Sequence, residues 1–318
     1  MEEIRIDFVD FWDNMNKTNN YFSRLLSRKY TVIIDPINPD LIFYSDYGSN
    51  YLKYNCKRIY WTGENIRPDF TGFDFSFTCD YSSNKKHYRL PLYSLYIDEL
   101  GMSKNINELK SKQEYFEIWN KKTKFCCMVV SNPRARFRLD FFEKLSKVKL
   151  VDSGGKVLNN IGGPVKDKLE FIQNYKFVLA FENEIQEGYT TEKILEPAIK
   201  DSIPIYWGNK SVHLDFNPKR FINYHDFNSE QELMDKIIEI NENPEMAIEM
   251  LINPILNPDR ISPDLEMQLV LNHIESIINS NSPPIAKTII GKFHYLKIRS
   301  KRIPKYLKRK LSFLSFLM

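Results

Sequence analysis

Residues 175–208 read YKFVLAFENEIQEGYTTEKILEPAIKDSIPIYWG and place a helical pattern between two short apolar runs. The runs at 175–181 and 203–207 are typical of strands buried on both faces of a parallel sheet. Thr190 and Thr191 can cap the helix that follows them, since a side-chain oxygen there accepts from the first free N–H groups. The stretch therefore predicts a strand–loop–helix–strand unit. In such units ligands bind at the carboxyl ends of the strands.

The predicted loop and the first helical turn hold side chains that suit a nucleotide. Free N–H groups and the dipole at a helix start favour an anion such as phosphate, and Lys193 adds a full positive charge. Glu192 can accept hydrogen bonds from the vicinal hydroxyls of a ribose. Asn183 and Tyr189 supply neutral polar groups from the loop. A solvated first turn would explain an isolated Thr-Glu-Lys equally well, so the interpretation depends on the whole stretch.

The segments FEN, Tyr189, TEK and IPIYWG together resemble the signature of the α-1,3/4-fucosyltransferases, glycosyltransferase family 10, bacterial type. The resemblance implies an α/β protein of the GT-B fold, with two Rossmann-like domains and a cleft between them. It also implies that Glu182 interacts with the fucose ring or with the charge that develops at its anomeric carbon. Pro197 departs from the pattern, because a proline there removes one helix hydrogen bond and predicts a kink.

The same resemblance implies an activity. The donor would be GDP-β-L-fucose, and the acceptor would be the 3-hydroxyl of N-acetylglucosamine in a Gal-GlcNAc glycan of Lewis-type or lipopolysaccharide antigens. Transfer would be one in-line displacement with inversion, giving an α-linked fucose. Two alternatives remain open, namely another GDP-sugar as donor and a catalytically inactive, membrane-associated glycan-binding protein.

A length of 318 residues with 42% apolar content is enough for two domains with packed cores. We expect an acceptor-side domain at 1–122, a GDP-sugar-binding domain at 123–262, a crossover helix at 263–285 that returns to the first domain, and a basic amphipathic tail at 286–318. Strands alternate with helices in both domains, as in Rossmann-like folds. Besides those already named, the predicted strands are 4–9, 30–34, 41–44, 58–61, 73–78, 87–90, 125–130 and 149–151.

Glu64 follows the predicted strand at 58–61, within the sequence WTGEN. An inverting transfer needs a carboxylate that takes the proton of the attacking hydroxyl, and glutamate can do this. A turn residue that caps a neighbouring loop would explain the local sequence as well. WTGEN resembles the general-base segment of the family, and this favours Glu64 as the catalytic base.

Arg138 lies in the first turn of the helix predicted after the strand at 125–130. Its planar guanidinium can hold phosphate oxygens at two points. Arg134 and Arg136 are close competitors, and a solvated arginine at a helix start is the plainer explanation. The family pattern favours Arg138, which with Lys193 would neutralise the diphosphate leaving group.

Other motifs of nucleotide and metal enzymes are absent from the sequence. No Asp-x-Asp triplet follows a strand, and neither GxxxxGK[ST] nor GxGxxG occurs. We therefore expect no metal site and no required cofactor, with divalent ions at most stimulatory. The four cysteines lack metal-site spacing, which favours a reducing cytosol. Aromatic residues at strand ends could stack on sugars or belong to the core: Trp12, Trp61, Tyr93 and Trp207.

The tail at 286–318 contains ten Lys or Arg and no acid, so subtracting these from the net charge of +4 leaves −6 for the rest. From residue 293 onward, apolar residues recur at helical spacing: Ile303, Leu307, Leu311, Leu314 and Met318. A cationic amphipathic helix suits an anionic membrane surface, while nucleic-acid binding is a weaker alternative. No stretch approaches the roughly 20 apolar residues of a membrane span. We expect a cytoplasmic protein, peripheral on the inner face of the cytoplasmic membrane.

Overall fold

The N-terminal apolar runs form a six-stranded sheet with one helix after its first strand. The elements are β1 (Glu2–Val9), α1 (Tyr21–Leu26), β2 (Tyr30–Ile34), β3 (Leu41–Tyr44), β4 (Lys57–Trp61), β5 (Phe75–Thr78) and β6 (His87–Arg89). The strand order is β2-β1-β3-β4-β5-β6, and every neighbouring pair is parallel. The chain adds β2 on one side of β1 and then β3 to β6 on the other side, so the strand order reverses between β1 and β3. Ligands bind at this kind of switch point in open α/β sheets.

Aromatic packing fixes this sheet against its helix. Phe43 of β3 stacks on Phe8 at a centroid distance of 5.2 Å and on Phe22 of α1 at 4.7 Å. All three rings are buried, and each such pair contributes about 1 kcal/mol beyond the burial of its surface. The core therefore lies directly beneath the switch point.

A second parallel sheet follows in the chain. The elements after β6 are, in chain order, α2 (Leu92–Glu99), α3 (Lys112–Lys121), β7 (Lys124–Met128), α4 (Arg136–Val148), β8 (Val151–Ser153), α5 (Lys168–Ile172), β9 (Tyr175–Phe181), α6 (Glu192–Ile199), β10 (Ile203–Trp207), β11 (Ile222–Asn223), α7 (Glu230–Glu242), α8 (Pro244–Leu251) and α9 (Pro263–Ile278). The order is β11-β10-β9-β7-β8, with parallel neighbours throughout. The switch point lies between β7 and β9.

The structure, a computed structural model, describes residues 1–301 and divides into two compact units. The first unit contains Met1–Thr78, Ser82–Arg89 and the chain from Met267 onward, and the second contains Cys79–Tyr81 and Leu90–Glu266. This division assigns residues from Leu90 onward to the second unit, whereas the sequence predicted the boundary after residue 122.

The packing of α2 and α3 explains this difference. Tyr93 and Ile97 of α2 are buried in one cluster with Leu195 of α6. Trp119 of α3 is buried against Phe177 of β9, with ring centroids 5.6 Å apart. These apolar side chains have their partners in the second unit, so residues 90–122 belong to it rather than linking two domains.

The C-terminal helices pack on the first sheet. From Met267 onward α9 belongs to the first unit, where Glu275 forms an ion pair with Lys29 at 2.7 Å. The last described helix is α10 (Ile289–Lys301). Its Lys297 pairs with Asp69 at 2.8 Å, which fastens the helix to a loop of the first unit. The predicted tail beyond residue 301 lies outside the described residues.

Candidate functional site

Arg138 lies at the switch point of the second sheet, where β7 and β9 end. Its guanidinium donates to the carbonyl oxygen of Phe181 at 3.1 Å, to Oδ1 of Asn183 at 3.3 Å and to the carbonyl oxygen of Asn132 at 3.2 Å. Only 1% of Arg138 is exposed, and its Nε has no hydrogen-bond partner among residues 1–301. Burial lowers the pKa of Arg138, and Glu182 opposes that effect. The structure thus brings together Arg138 and Asn183, two of the predicted site residues.

Glu182 is the first residue after β9 and is 0% exposed. It accepts from the Thr191 N–H at 2.7 Å and the Thr191 hydroxyl at 2.9 Å, and its Oε2 lies 3.1 Å from Lys193 Nζ. Burial raises the pKa of Glu182, and the positive charge of Lys193 opposes this rise. The carboxylate has no exposed surface, and its contacts hold the start of α6. Its interaction with the fucose ring or with the charge at the anomeric carbon stays a prediction.

The start of α6 carries the other charged candidates. Thr191 is the N-cap, as the sequence predicted, and its hydroxyl also lies 2.9 Å from Lys193 Nζ. Glu192 lies 3.6 Å from the same ammonium. Burial lowers the pKa of Lys193, but Glu182 and Glu192 outweigh it and the net pKa is raised. The Lys193 side chain is 21% exposed, so a fully charged ammonium reaches the surface at a helix start.

Glu192 and Tyr189 complete this group. Burial raises the pKa of Glu192, but Lys193 and Lys168 oppose it and the net pKa is lowered, so the carboxylate is ionised at neutral pH. Tyr189 is buried, and it lies near enough to both Lys193 and Arg138 to influence the pKa of each. The predicted residues of the second unit therefore surround one point on its sheet edge.

Asn209 is a buried residue of this site that the sequence did not single out. Its Oδ1 accepts from the Gly188 N–H at 3.0 Å, and its Nδ2 donates to the Thr190 hydroxyl at 3.0 Å. These bonds fasten the loop between β9 and α6 to the end of β10. The available signal was its position, since Asn209 follows IPIYWG directly at a strand end.

Glu64 lies after β4 at the carboxyl edge of the first sheet and is exposed. Its Oε1 accepts from the Tyr47 hydroxyl at 3.0 Å, and its own N–H donates to the Thr62 hydroxyl at 3.0 Å. Burial and the bond to Glu64 raise the pKa of Tyr47 to about 12. Asp46 is close by, and burial raises the pKa of its carboxyl, with a further contribution from Glu64. Glu64 is thus a solvent-facing carboxylate whose orientation is fixed by a phenol.

The predicted site residues fall into two groups, with Glu64 in the first unit and the remaining six in the second. Within residues 1–301, no three His, Cys, Asp or Glu side chains are grouped so that they could hold a metal ion. No helix of that part of the chain is long and apolar enough to span a membrane.

Solved structures define the class of this fold. The crystal structure of Anabaena Alr3699/HepE in complex with UDP-glucose covers 86% of this chain and 100% of its own, with a TM-score of 0.54 and 9% identity. That likeness concerns the fold alone. Together with the two parallel α/β units, it identifies the GT-B class of glycosyltransferase folds, as the sequence predicted.

Proteins that are more similar to this chain identify its family. The alpha-(1,3)-fucosyltransferase FucT N-terminal domain matches residues 6–96, and the glycosyltransferase family 10 (fucosyltransferase) C-terminal domain matches residues 119–250. A crystal structure of an alpha1,3-fucosyltransferase with GDP-fucose is 30% identical and covers 88% of this chain and 92% of its own, with a TM-score of 0.75. The chain therefore belongs to glycosyltransferase family 10, the fucosyltransferases.

Curated relatives agree with this assignment. The Helicobacter pylori alpha-(1,3)-fucosyltransferase FucT is 35% identical over 272 residues, which cover 75% of this chain and 57% of that protein. The putative fucosyltransferase R654 of Acanthamoeba polyphaga mimivirus is 31% identical over 229 residues, covering 65% of this chain and 37% of that protein. This chain thus spans little more than half of the first relative and about a third of the second.

Proposed function

We propose that this protein is an inverting α-1,3-fucosyltransferase that moves L-fucose from GDP-β-L-fucose to the 3-hydroxyl of N-acetylglucosamine in a Gal-GlcNAc glycan. The observation that carries the proposal is the charged, partly exposed Lys193 at the start of α6, on the same sheet edge as the buried charge of Arg138. Both lie at the carboxyl edge of a parallel sheet, where nucleotides bind in such folds. The solved relatives with GDP-fucose and with GDP support this donor. The products would be Lewis-type or lipopolysaccharide antigens.

In this proposal the donor's diphosphate binds Lys193 and lies against the positive end of the α6 dipole. The ion pair with Glu182 holds the ammonium in place before the donor arrives. Arg138 adds positive charge from within the protein, where the low dielectric strengthens its effect on the leaving group. Direct contact of Arg138 with phosphate requires a shift of the loop at Asn132, whose carbonyl oxygen now covers the guanidinium.

The remaining donor contacts follow from the same group of residues. Glu192 accepts hydrogen bonds from the ribose hydroxyls, because its carboxylate is ionised and half-buried beside Lys193. Asn183 and Tyr189 lie beside Arg138 and Lys193 and contact the donor near its sugar. No cofactor is required in this scheme, since these two cations meet the charge of the departing GDP. A divalent ion would at most stimulate the reaction.

Glu64 acts as the base. As the acceptor oxygen forms its bond to the anomeric carbon, the bond from that carbon to the diphosphate oxygen breaks and GDP leaves with the electron pair. The hydroxyl proton passes to the carboxylate of Glu64, which the Tyr47 hydroxyl orients at 3.0 Å. Attack opposite the leaving group converts the β-linked donor into an α-linked product.

The test is GDP release from GDP-fucose with N-acetyllactosamine in the presence of EDTA. The wild type should release GDP only when the acceptor is present. Glu64→Gln should lower kcat by a factor of about 10² to 10⁴ and leave the KM for GDP-fucose unchanged. Glu3→Gln is the matched control. Glu3 is an exposed carboxylate of the same unit, and it lies at the amino end of β1, at the sheet edge opposite to Glu64.

Each other outcome has a distinct meaning. Release that survives in Glu64→Gln keeps the activity but removes Glu64 as the base. Binding of GDP without release from GDP-fucose indicates a different GDP-sugar or acceptor, or an inactive glycan-binding protein. A protein that does not bind GDP contradicts the whole proposal.

We also propose that the protein associates with an anionic membrane surface, on the inner face of the cytoplasmic membrane. Helix α10 exposes Ile289, Phe293 and Leu296 at spacings of four and three, so these lie on one face. Lys292 and Arg299 flank that face, and each basic residue near an anionic surface contributes about 1 kcal/mol.

Deletion of residues 293–318 should abolish co-sedimentation with phosphatidylserine vesicles. Undiminished binding after the deletion would contradict this part, and salt-sensitive binding of DNA by the tail alone would favour a nucleic-acid role.

A further inference from the structure

Trp12 differs from the other three tryptophans in its exposure. Trp61 and Trp119 are buried and Trp207 is half-buried, whereas Trp12 is 46% exposed. Trp12 follows β1, whose carboxyl end lies at the switch point of the first sheet. An open indole therefore lies at the edge of the sheet where a ligand of this unit is expected.

The loop that carries Trp12 is firmly held. Asp10 adopts a φ of +57°, and its carboxylate accepts from the Tyr51 N–H at 2.8 Å and from Asn50 Nδ2 at 2.9 Å. The next ring, Phe11, stacks on Trp61 at 6.0 Å with an interplanar angle of 10°. These contacts fix the backbone on both sides of the turn, so the backbone that carries the Trp12 side chain is rigid.

The indole of Trp12 touches its neighbours edge to face. Its centroid lies 5.7 Å from that of Phe11 at 74° and 6.1 Å from that of Trp61 at 65°. Contacts of this kind stabilise an aromatic ring without covering both of its faces. The ring is thus held in one orientation while nearly half of its surface stays open.

Hydrogen bonds connect this loop to the proposed base. The Tyr47 N–H donates to the carbonyl oxygen of Asp10 at 3.0 Å, and the Tyr47 hydroxyl donates to Glu64 at 3.0 Å. Trp61, which Trp12 contacts, precedes Glu64 by three residues. Trp12 and Glu64 therefore belong to one group of loops at the carboxyl edge of one sheet.

We propose that Trp12 is a platform on which a pyranose ring of the acceptor glycan stacks, next to the ring that is fucosylated. A galactose unit offers an apolar face of C–H groups, and a rigid aromatic ring binds such a face with little loss of side-chain entropy. The platform positions the neighbouring N-acetylglucosamine hydroxyl for Glu64. This inference rests on the proposed function, from which it takes the acceptor class.

The experiment compares wild type with Trp12→Ala and Trp12→Phe. Trp12→Ala should raise the KM for N-acetyllactosamine about tenfold, with kcat and the KM for GDP-fucose unchanged. Trp12→Phe should retain most of the acceptor affinity, because it keeps an aromatic face. Phe116→Ala is the matched control, since Phe116 is another exposed aromatic residue, on α3 of the second unit.

A second measurement does not depend on catalysis. N-acetyllactosamine without donor should shield wild-type tryptophan fluorescence from iodide, and Trp12→Ala should lose this effect. Shielding in a protein that releases no GDP would keep the platform while contradicting the proposed reaction. The inference is wrong if a folded Trp12→Ala keeps the wild-type acceptor KM, or if its acceptor and donor parameters deteriorate together. Equal losses in Trp12→Phe and Trp12→Ala would also contradict stacking.

Discussion

Glu182 and Lys193 form an ion pair in which the carboxylate is fully buried and the lysine is partly exposed. Burial raises the pKa of Glu182, while Lys193, 3.1 Å away, limits that rise. Two carboxylates surround Lys193, since Glu192 lies 3.6 Å from the same ammonium. A buried charge that loses its partner is strongly destabilising, whereas a neutral pair of similar volume often is not. This asymmetry makes the pair testable through pH.

Lys193→Met should make the free energy of unfolding depend more steeply on pH. A carboxyl whose pKa is raised on folding contributes stability that is full below its unfolded pKa of about 4.3. That stability is lost as the pH rises through the folded pKa. Without Lys193 the folded pKa of Glu182 rises further, so urea unfolding should show a deficit of about 3 kcal/mol at pH 8 and a smaller one at pH 5.

Glu182→Gln supplies the control for this prediction. The double variant Lys193→Met, Glu182→Gln has no buried charge at this position, so its stability should change with pH no more than that of the wild type. An equal deficit for Lys193→Met at pH 5 and pH 8 would show that Glu182 does not titrate in the folded protein. Comparing how the free energy of unfolding changes with pH in Lys193→Met and in the double variant therefore separates the charge effect from lost packing.

Glu182 and Asn209 make contacts that could not be predicted from the sequence around them. The cap at Thr191 and the charge of Lys193 followed from their positions at a helix start. The family resemblance assigned Glu182 to the sugar, whereas its contacts in the structure are with Thr191 and Lys193, nine and eleven residues later. Asn209 acts on a loop some twenty residues earlier. Such contacts arise from the assembled sheet and leave no local pattern.

The turn after β10 is the element that confines Glu182. Gly208 adopts a φ of +155°, and a Cβ there would lie 2.6 Å from Glu182 Cγ and 2.9 Å from the Tyr206 hydroxyl oxygen. Only glycine allows this approach without displacing the carboxylate. The turn thus links the end of β10 to the start of α6 through Glu182.

Gly208→Ala should lower the free energy of unfolding by about 3 kcal/mol and raise the KM for GDP-fucose, because Glu182 must move away from Thr191. Gly101→Ala is the matched control. Gly101 also has a positive φ, +67°, but its Cβ would meet nothing within 4 Å. Gly101→Ala should lower the free energy of unfolding by about 1 kcal/mol through backbone strain and leave the KM for GDP-fucose unchanged. Indistinguishable values for the two variants, by urea unfolding and donor kinetics, would show that the close approach is unimportant.

Strands were predicted better than short helices. The runs at 30–34, 41–44, 175–181 and 203–207 match β2, β3, β9 and β10 to the residue. Of these, β3, β9 and β10 are inner strands, and buried parallel strands are continuously apolar. The strand predicted at 149–151 is β8 at Val151–Ser153, which is defined by pairing with β7. No helix was predicted at α2, which has only eight residues and is stabilised by its packing on α6.

For the whole molecule, the parallel α/β sheets followed from alternation, whereas the unit boundary did not. Strands that alternate with helices allow few arrangements besides parallel sheets, and the resemblance to the family added the GT-B class. The units, however, are built from segments that are not contiguous, since the chain returns to the first unit at Met267. Which sheet a helix joins depends on complementary apolar faces, and a pattern within one helix does not identify its partner.

This boundary leads to a prediction about fragments. Residues 90–266 contain α2 and α3, whose buried side chains Tyr93, Ile97, Tyr115 and Trp119 pack in the second unit. Each contributes about 2 kcal/mol by burial, so together they approach the whole stability of an ordinary domain, about 5–15 kcal/mol. The fragment 90–266 should therefore unfold cooperatively in urea and bind GDP.

The fragment 123–262, which follows the boundary predicted from the sequence, lacks those side chains. It leaves the apolar surfaces of α6 and β9 exposed where α2 and α3 now cover them, so it should show no cooperative transition and no GDP binding. Circular dichroism in urea and a GDP titration measure both properties on both fragments. Equal midpoints and equal GDP affinities would mean that residues 90–122 add nothing to the second core. In that case the boundary predicted from the sequence, after residue 122, would describe this segment better than the packing does.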